Sequence, residues 1–288
     1  MQPMISYSIN LEDVVLAKVF ADFPSGFYVD VGANDPTIHS NTRHFYNLGW
    51  HGINIEPGNI YTRLASERTR DFNFPVAVSD VVGELTFQEY PAAHGYSGLE
   101  DRLPLAPPEL LTGKTTRVVP VRRLRDIFAE VDPPTIDFMA IDVEGHERRV
   151  LLGNDWSRWR PRVVFLEAVI QGTGEPCHHL WEDILLNADY CFAYDDGLNR
   201  FYVRHEDEYL VKRFRPPCVF DRYIPYSEML LKQELQRVQS EYQLVTQKLS
   251  SIYRGVGANT LSIGLYVARF LQSTINWGKY FLLHRKAA

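Results

Sequence analysis

Three short clusters of residues in this 288-residue chain have types and spacing that suit chemistry. Asp30-Val31-Gly32-Ala33-Asn34 follows an apolar run, Glu56 ends Gly52-Ile53-Asn54-Ile55-Glu56, and Asp142-Val143-Glu144-Gly145-His146-Glu147 follows Ile136–Ile141. A glycine after a strand lets backbone approach a ligand closely, and an acid there accepts a hydrogen bond from a hydroxyl or amino group. An acid ending the second strand of an α/β fold is where a ribose diol is held. Asp30, Gly32, Asn34 and Glu56 together therefore predict a ligand that carries a nucleoside. Residues 32 to 37 read GANDPT, without the further glycines that seat a pyrophosphate on a helix N-terminus. A dinucleotide is the poorer choice, and S-adenosylmethionine, with a ribose and an amino-acid tail but no phosphate, is the better one.

Asp142, Glu144 and His146 are the candidate catalytic residues. Carboxylates at the end of a strand hold an ammonium, bind a divalent cation, or remove a proton from a hydroxyl. Either Asp142 or His146 would be the base, with Glu144 and Glu167 as supporting acids or, together with Asp142, as ligands for an optional magnesium. The plainer alternative is that His146 and Glu147 open a helix, where an acid complements the dipole. No metal site is expected from Cys177, His178 and His179, because no further ligand stands at metal spacing.

The elements that must position these residues are short strands alternating with helices. Gly26–Val31, Gly52–Glu56, Asn73–Ser79, Ile136–Asp142 and Arg162–Glu167 read as strands, with Glu84–Glu89 and Thr116–Arg122 as further extended segments. Pro120 predicts an edge position for the last of these. Helices are predicted from Ser40 or Asn41, from Pro57, and over Leu124–Glu130, Glu147–Leu152 and His179–Ala188. Tyr190–Tyr194 and Arg200–Arg204 form a closing pair around Asp195–Asn199. The result is an α/β domain with a doubly wound, mostly parallel sheet, an antiparallel hairpin at its edge, and a ligand at the carboxyl ends of its strands. Residues 91 to 114, rich in proline and glycine, read as a lid or as an unstructured loop.

The segments GFYVDVGANDP, FYNLGWHGINIEP, AVSD, VPVRRL, IDFMAIDVEGHE, RVVFLEA and DDGLNRFYV resemble, in order and spacing, the FkbM-type family of S-adenosylmethionine-dependent methyltransferases, over about residues 7 to 220. The resemblance implies a seven-stranded class I methyltransferase sheet and O-methylation of sugars or polyketide-type natural products. It places Asp30, Gly32 and Asn34 at the methionine side, Glu56 at the ribose, Ser79 and Asp80 at the adenine, and Asp142 with Glu144 on the central-strand motif. The family's Ser-Gln-x-Gly-Glu-Asp start is only partly kept: this chain reads Ser8-Ile9-Asn10-Leu11-Glu12-Asp13.

After the domain, expected over residues 1–225, the period changes. Leu231, Leu235, Val238, Tyr242, Val245, Leu249 and Ile252 form a heptad seam over 226–253 that pairs with another copy or packs on the domain. Residues 254–288 read as a helical tail whose apolar positions over 261–286 and basic residues suit a membrane surface or a partner. Arg254, Arg269, Lys279, Arg285 and Lys286 stand there without an acid, so the body before them is more acidic than the chain's net −6. That charge argues against nucleic acid as partner. Asp132-Pro133-Pro134 lacks the aromatic residue of an amino-methylating Asp-Pro-Pro-Tyr box and reads as a loop. Three cysteines without CxxC spacing, no secretory signal and no apolar run of spanning length predict a cytoplasmic protein, with the inner membrane face as the place for its tail. The expected activity is S-adenosylmethionine-dependent O-methylation of a saccharide, including a lipid-linked or cell-surface glycan. The alternatives are methylation of a small natural product, or a non-catalytic scaffold.

Overall fold

A computed structural model of the chain describes residues 3–90, 94–99, 112–170 and 172–253. The tail predicted over 261–286 lies outside these residues, as does most of the 91–114 segment. The chain divides into two compact units, one ending at Tyr223 and the other beginning at Ile224.

The first unit opens with the short strand β1 (Met4–Ser6) and helix α1 (Glu12–Val19). Its larger sheet contains β2 (Phe27–Val31), β3 (His51–Ile55), β4 (Phe72–Phe74), β9 (Phe138–Ile141), β10 (Val163–Glu167), β11 (Tyr190–Asp195) and β12 (Asn199–Arg204). The spatial order is β11-β12-β10-β9-β2-β3-β4. The five strands from β10 to β4 are parallel, and β12 runs against both β10 and β11. The sheet is therefore mixed, with the predicted hairpin at its edge.

Every residue of β2 is buried, which matches a strand covered on both faces. Alternation sends Phe27, Val29 and Val31 into one apolar cluster with Ile53, Ile55, Met139 and Ile141, and Tyr28 into a second with Phe45, Trp50, Phe138 and Phe165. Helices α4 (Leu124–Val131), α5 (Glu147–Leu152) and α6 (Glu182–Asn187) give Leu124, Val150 and Leu185 to the first cluster. α1 and α2 (Arg43–Asn47) give Leu16 and Phe45 to the second.

Three local expectations are corrected. Asn73–Ser79 is not one strand. β4 ends at Phe74, and after Pro75 the chain leaves for a second sheet as β5 (Ala77–Val78), since proline cannot donate to a ladder. That four-stranded sheet is ordered β5-β8-β6-β7, with β6 (Gly83–Glu89), β7 (Gly98–Leu99) and β8 (Thr115–Arg122). Pro120 is thus on an interior strand rather than an edge, but β5 pairs only with Val121 and Arg122, so the missing donor falls beyond its reach. Finally, α2 starts after Thr42 rather than at Ser40 or Asn41, and α3 (Tyr61–Glu67) starts four residues after Pro57.

A buried polar network underlies the loop between β2 and α2. Arg68, fully buried, donates to the Pro36 carbonyl and the Ser40 hydroxyl, both at 2.8 Å, and to the Tyr28 hydroxyl at 3.2 Å. Asp71, which accepts from Tyr28 at 2.6 Å, supplies the opposite charge. A lysine keeps the charge but cannot reproduce the planar fork. Arg68→Lys is therefore expected to lower stability by about 1 to 2 kcal/mol through lost hydrogen bonds, as read by urea denaturation; an unchanged midpoint would show that the network is dispensable.

After the strand β13 (Tyr223–Pro225), helix α7 spans Tyr226–Tyr253 and carries the heptad seam. Leu231, Val238 and Val245 are exposed along it. No described helix is long and apolar enough to cross a membrane.

Candidate active site

The register of the parallel strands brings the chemistry together. Val31 pairs with both Ile55 and Ile141, and Ile141 pairs with Leu166. The next residue of each strand, namely Gly32, Glu56, Asp142 and Glu167, therefore emerges at one end of the sheet. All four line a cavity of about 880 Å³, within the range of small-molecule sites, ~300–1,000 Å³.

Gly32 has φ +83°, and a Cβ on it would stand 1.8 Å from the Asp142 carbonyl oxygen. Only glycine lets these two turns touch. The Gly32 and Ala33 N–H groups donate to the Ile55 carbonyl at 2.9 and 3.1 Å. Asn34 takes the left-handed conformation, φ 48°, and donates its N–H to Glu56 Oε2 at 2.9 Å. The Gly58 N–H donates to Oε1 at 2.5 Å. Glu56 is thus fixed facing the cavity, and burial pushes its carboxyl up to about 7. Asp30 is buried inside β2, accepts from the Thr42 hydroxyl at 3.0 Å, and is raised to about 6, again by burial. Val76, Ala77, Val78 and Phe87 give the cavity an apolar wall.

Ser79 and Asp80, which the family pattern places at the adenine end, are not among the described residues lining the cavity. Ser79 contacts His146, and Asp80 contacts Ser79 and Arg149. Ser79 donates to Asp80 Oδ1 at 3.1 Å, and its oxygen lies 3.1 Å from His146 Nε2. The Ser79 hydroxyl can stand as donor or acceptor to the ring, according to the imidazole tautomer. Asp80 also accepts from Arg149 at 2.8 Å, and that pairing with the Ser79 bond outweighs its desolvation, holding its carboxyl below the usual range.

Asp142 is open to the cavity yet surrounded by protein. Desolvation raises its carboxyl first, followed by repulsion from Glu147, Asp30 and Glu56. Glu144 is in the left-handed region at φ 56°. Carboxylate oxygens of Asp142, Glu144 and Glu167 lie within 4.8 Å of one another, a spacing that suits an ammonium group or a hard cation such as magnesium.

Glu12 and Asn199 also line the cavity, and neither is a candidate in the sequence reading. Asn199 Nδ2 donates to Glu12 Oε1 at 2.8 Å, and the Asn10 N–H donates to Oε2 at 2.8 Å. The Asn10 side chain donates to the Asp196 carbonyl at 3.2 Å, tying the first segment to the hairpin turn. The retained Glu-Asp pair was the available signal, but nothing in the sequence connects Glu12 to a residue 187 positions away. Burial raises Glu12 to about 8.

These raised carboxyls make stability pH-dependent. The folded state keeps protons on Glu12 and Glu56 that the unfolded chain releases above about 4.5. Stability is therefore lost as pH rises toward about 7 for Glu56 and about 8 for Glu12, by about 1.4 kcal/mol per unit for each group that titrates alone. His44, lowered to about 4 by burial, opposes this below its ordinary value of 6.5. The unligated protein is expected to lose melting temperature steadily between pH ~6.5 and ~8; a flat or rising curve would contradict these environments.

Together these features define an α/β protein with an acid-lined small-molecule site at the carboxyl ends of its strands. The family model described as Methyltransferase FkbM domain matches residues 30–192, more than half of the chain. The chain belongs to the FkbM methyltransferase family, whose usual cofactor is S-adenosylmethionine. No curated protein matches the chain.

Proposed function

We propose that the protein is an S-adenosylmethionine-dependent O-methyltransferase that methylates a saccharide hydroxyl. The observation that carries this reading is the placement of Glu56 and Asp142 one residue beyond register-matched strand ends, on one cavity. The sheet order, with β12 alone reversed, supports a class I methyltransferase architecture.

The site fits the cosubstrate. Glu56, held by two backbone donors, has lone pairs left for the ribose hydroxyls. The Val76–Val78 wall and Phe87 suit the adenine face, and the acids near Asp142 suit the methionyl ammonium. S-adenosylmethionine, when bound, supplies an electrophilic methyl group on a sulfonium, so the protein's work is alignment and proton removal. Asp142, raised toward neutrality, takes the acceptor hydroxyl's proton, since a base works best with a pKa near the operating pH. Glu144 and Glu167 orient the acceptor, and Ser79 orients His146 at the rim. Saccharide as the acceptor rests on the family resemblance.

Glycans from cells with and without the protein test this by mass spectrometry. A methyl mass that depends on the protein, and that is lost with Asp142→Asn, is expected. Identical glycan spectra would remove the saccharide acceptor.

A further inference from the structure

The cavity has a second apolar wall, toward the edge of the sheet opposite Glu56. In the strand order β10 and β12 stand beyond β9 from β2 and β3, so the stretch after β10 and the turn between β11 and β12 border the space left for the acceptor. Three segments meet there. The Ala168 N–H donates to the Leu198 carbonyl at 2.8 Å, which joins the stretch after β10 to the hairpin turn. The Asn10 side chain donates to the Asp196 carbonyl of the same turn at 3.2 Å, which brings in the first segment. Val169 pairs with Pro176, and the Ile170 N–H donates to the Glu175 carbonyl at 2.7 Å, so the stretch after β10 folds back on itself beside the cavity.

Ile9, Val169, Ile170 and Leu198 line the cavity from these segments. Val169, Ile170 and Leu198 are half-buried, and Ile9 is 62% exposed. None of the four packs into the three apolar clusters formed among the described residues. A single exposed aliphatic side chain is ordinary, but several converging on one cavity wall mark a surface that a ligand covers. Ile9 also stands where the family pattern has glutamine, so this part of the wall has lost an amide and gained an aliphatic group.

We infer that the acceptor is amphipathic: a saccharide whose aglycone is an aliphatic chain, seated on Ile9, Val169, Ile170 and Leu198 while its hydroxyls meet the polar side chains of the cavity. The wall draws on three segments and reaches from half-buried positions out to the exposed Ile9. That is more surface than the single methyl group of a deoxysugar covers, which favours a chain. Water leaves both surfaces when the chain binds, worth about a fourfold gain in affinity for each buried methylene. The inference rests on the methyl-transfer reading above and adds the class of the acceptor's non-reacting part.

The test uses the full chain, methyl-labelled S-adenosylmethionine and, for each of several neutral hexoses, the methyl, butyl and hexyl glycosides below their micelle concentrations. KM for the glycoside is expected to fall by at least ~10-fold from methyl to hexyl. Ile9→Gln, which changes an exposed side chain and should melt like the parent, is expected to shrink that gain by about threefold or more. A KM that stays level or rises with chain length would overturn this inference alone, as would an undiminished gain in Ile9→Gln. No label on any glycoside while S-adenosylmethionine binds would overturn it together with the saccharide acceptor. Failure of S-adenosylmethionine to bind would instead be a failure of the methyl-transfer reading on which it rests.

Discussion

Replacing Asp142 with asparagine is expected to lower the rate of methyl transfer by roughly 10²- to 10⁴-fold, the usual worth of a positioned general base. The amide keeps the shape of the acid and cannot take a proton. The variant should fold, because it removes one member of a crowded acidic group in which Glu147, Asp30 and Glu56 all raise Asp142. Its melting temperature at pH ~8 should equal or exceed that of the parent. A rate loss with a higher melting point separates a catalytic role from a structural one. A rate within tenfold of the parent would show that Asp142 is not the base, and would turn attention to His146.

Gly32→Ala is expected to have the largest combined effect on stability and binding. The added Cβ meets the Asp142 carbonyl oxygen at 1.8 Å, and the residue would have to hold φ +83°. A left-handed non-glycine residue costs about 1 to 2 kcal/mol and forced overpacking about 1 to 3 kcal/mol, so a total loss of about 2 to 5 kcal/mol is expected in denaturant. The movement needed to relieve the clash separates the turns carrying Asn34 and Asp142. A displacement of about 1 Å at a site costs on the order of 100-fold in rate, so methyl transfer should fall by about that factor, together with weaker S-adenosylmethionine binding. If Gly32→Ala melts and binds like the parent, the two turns do not touch as described.

The strand-end chemistry was legible because two patterns coincide. Each apolar run that forms a buried strand stops at a residue able to contact a ligand, and parallel pairing then brings those stops level. Gly32, Glu56, Asp142 and Glu167 could therefore be named from spacing alone. The split of Asn73–Ser79 was not legible, because an apolar run with one proline reads equally as a bent strand or as two strands in different sheets. Ser79 and Asp80 follow that split, and their sequence gives no sign that their side chains turn toward His146 and Arg149. The pairing of Glu12 with Asn199 is a long-range contact that no local period encodes. Leu11 shows a related limit: it holds φ 66°, a conformation that favours glycine, at the position where the family pattern has glycine. The departure from the family pattern is thus absorbed by one strained residue, while Asp13 keeps its bonds to Ser6 at 2.6 Å and to the Tyr7 N–H at 2.7 Å.

The central claim is that this cavity binds S-adenosylmethionine through Glu56, and calorimetric titration of the full chain tests it most directly. The predicted result is a saturable one-site heat for the parent and an affinity about 10- to 100-fold weaker for Glu56→Ala, the worth of hydrogen bonds to a charged group at about 1.5 to 3 kcal/mol. No heat from the parent, or the same affinity in the variant, would contradict the account.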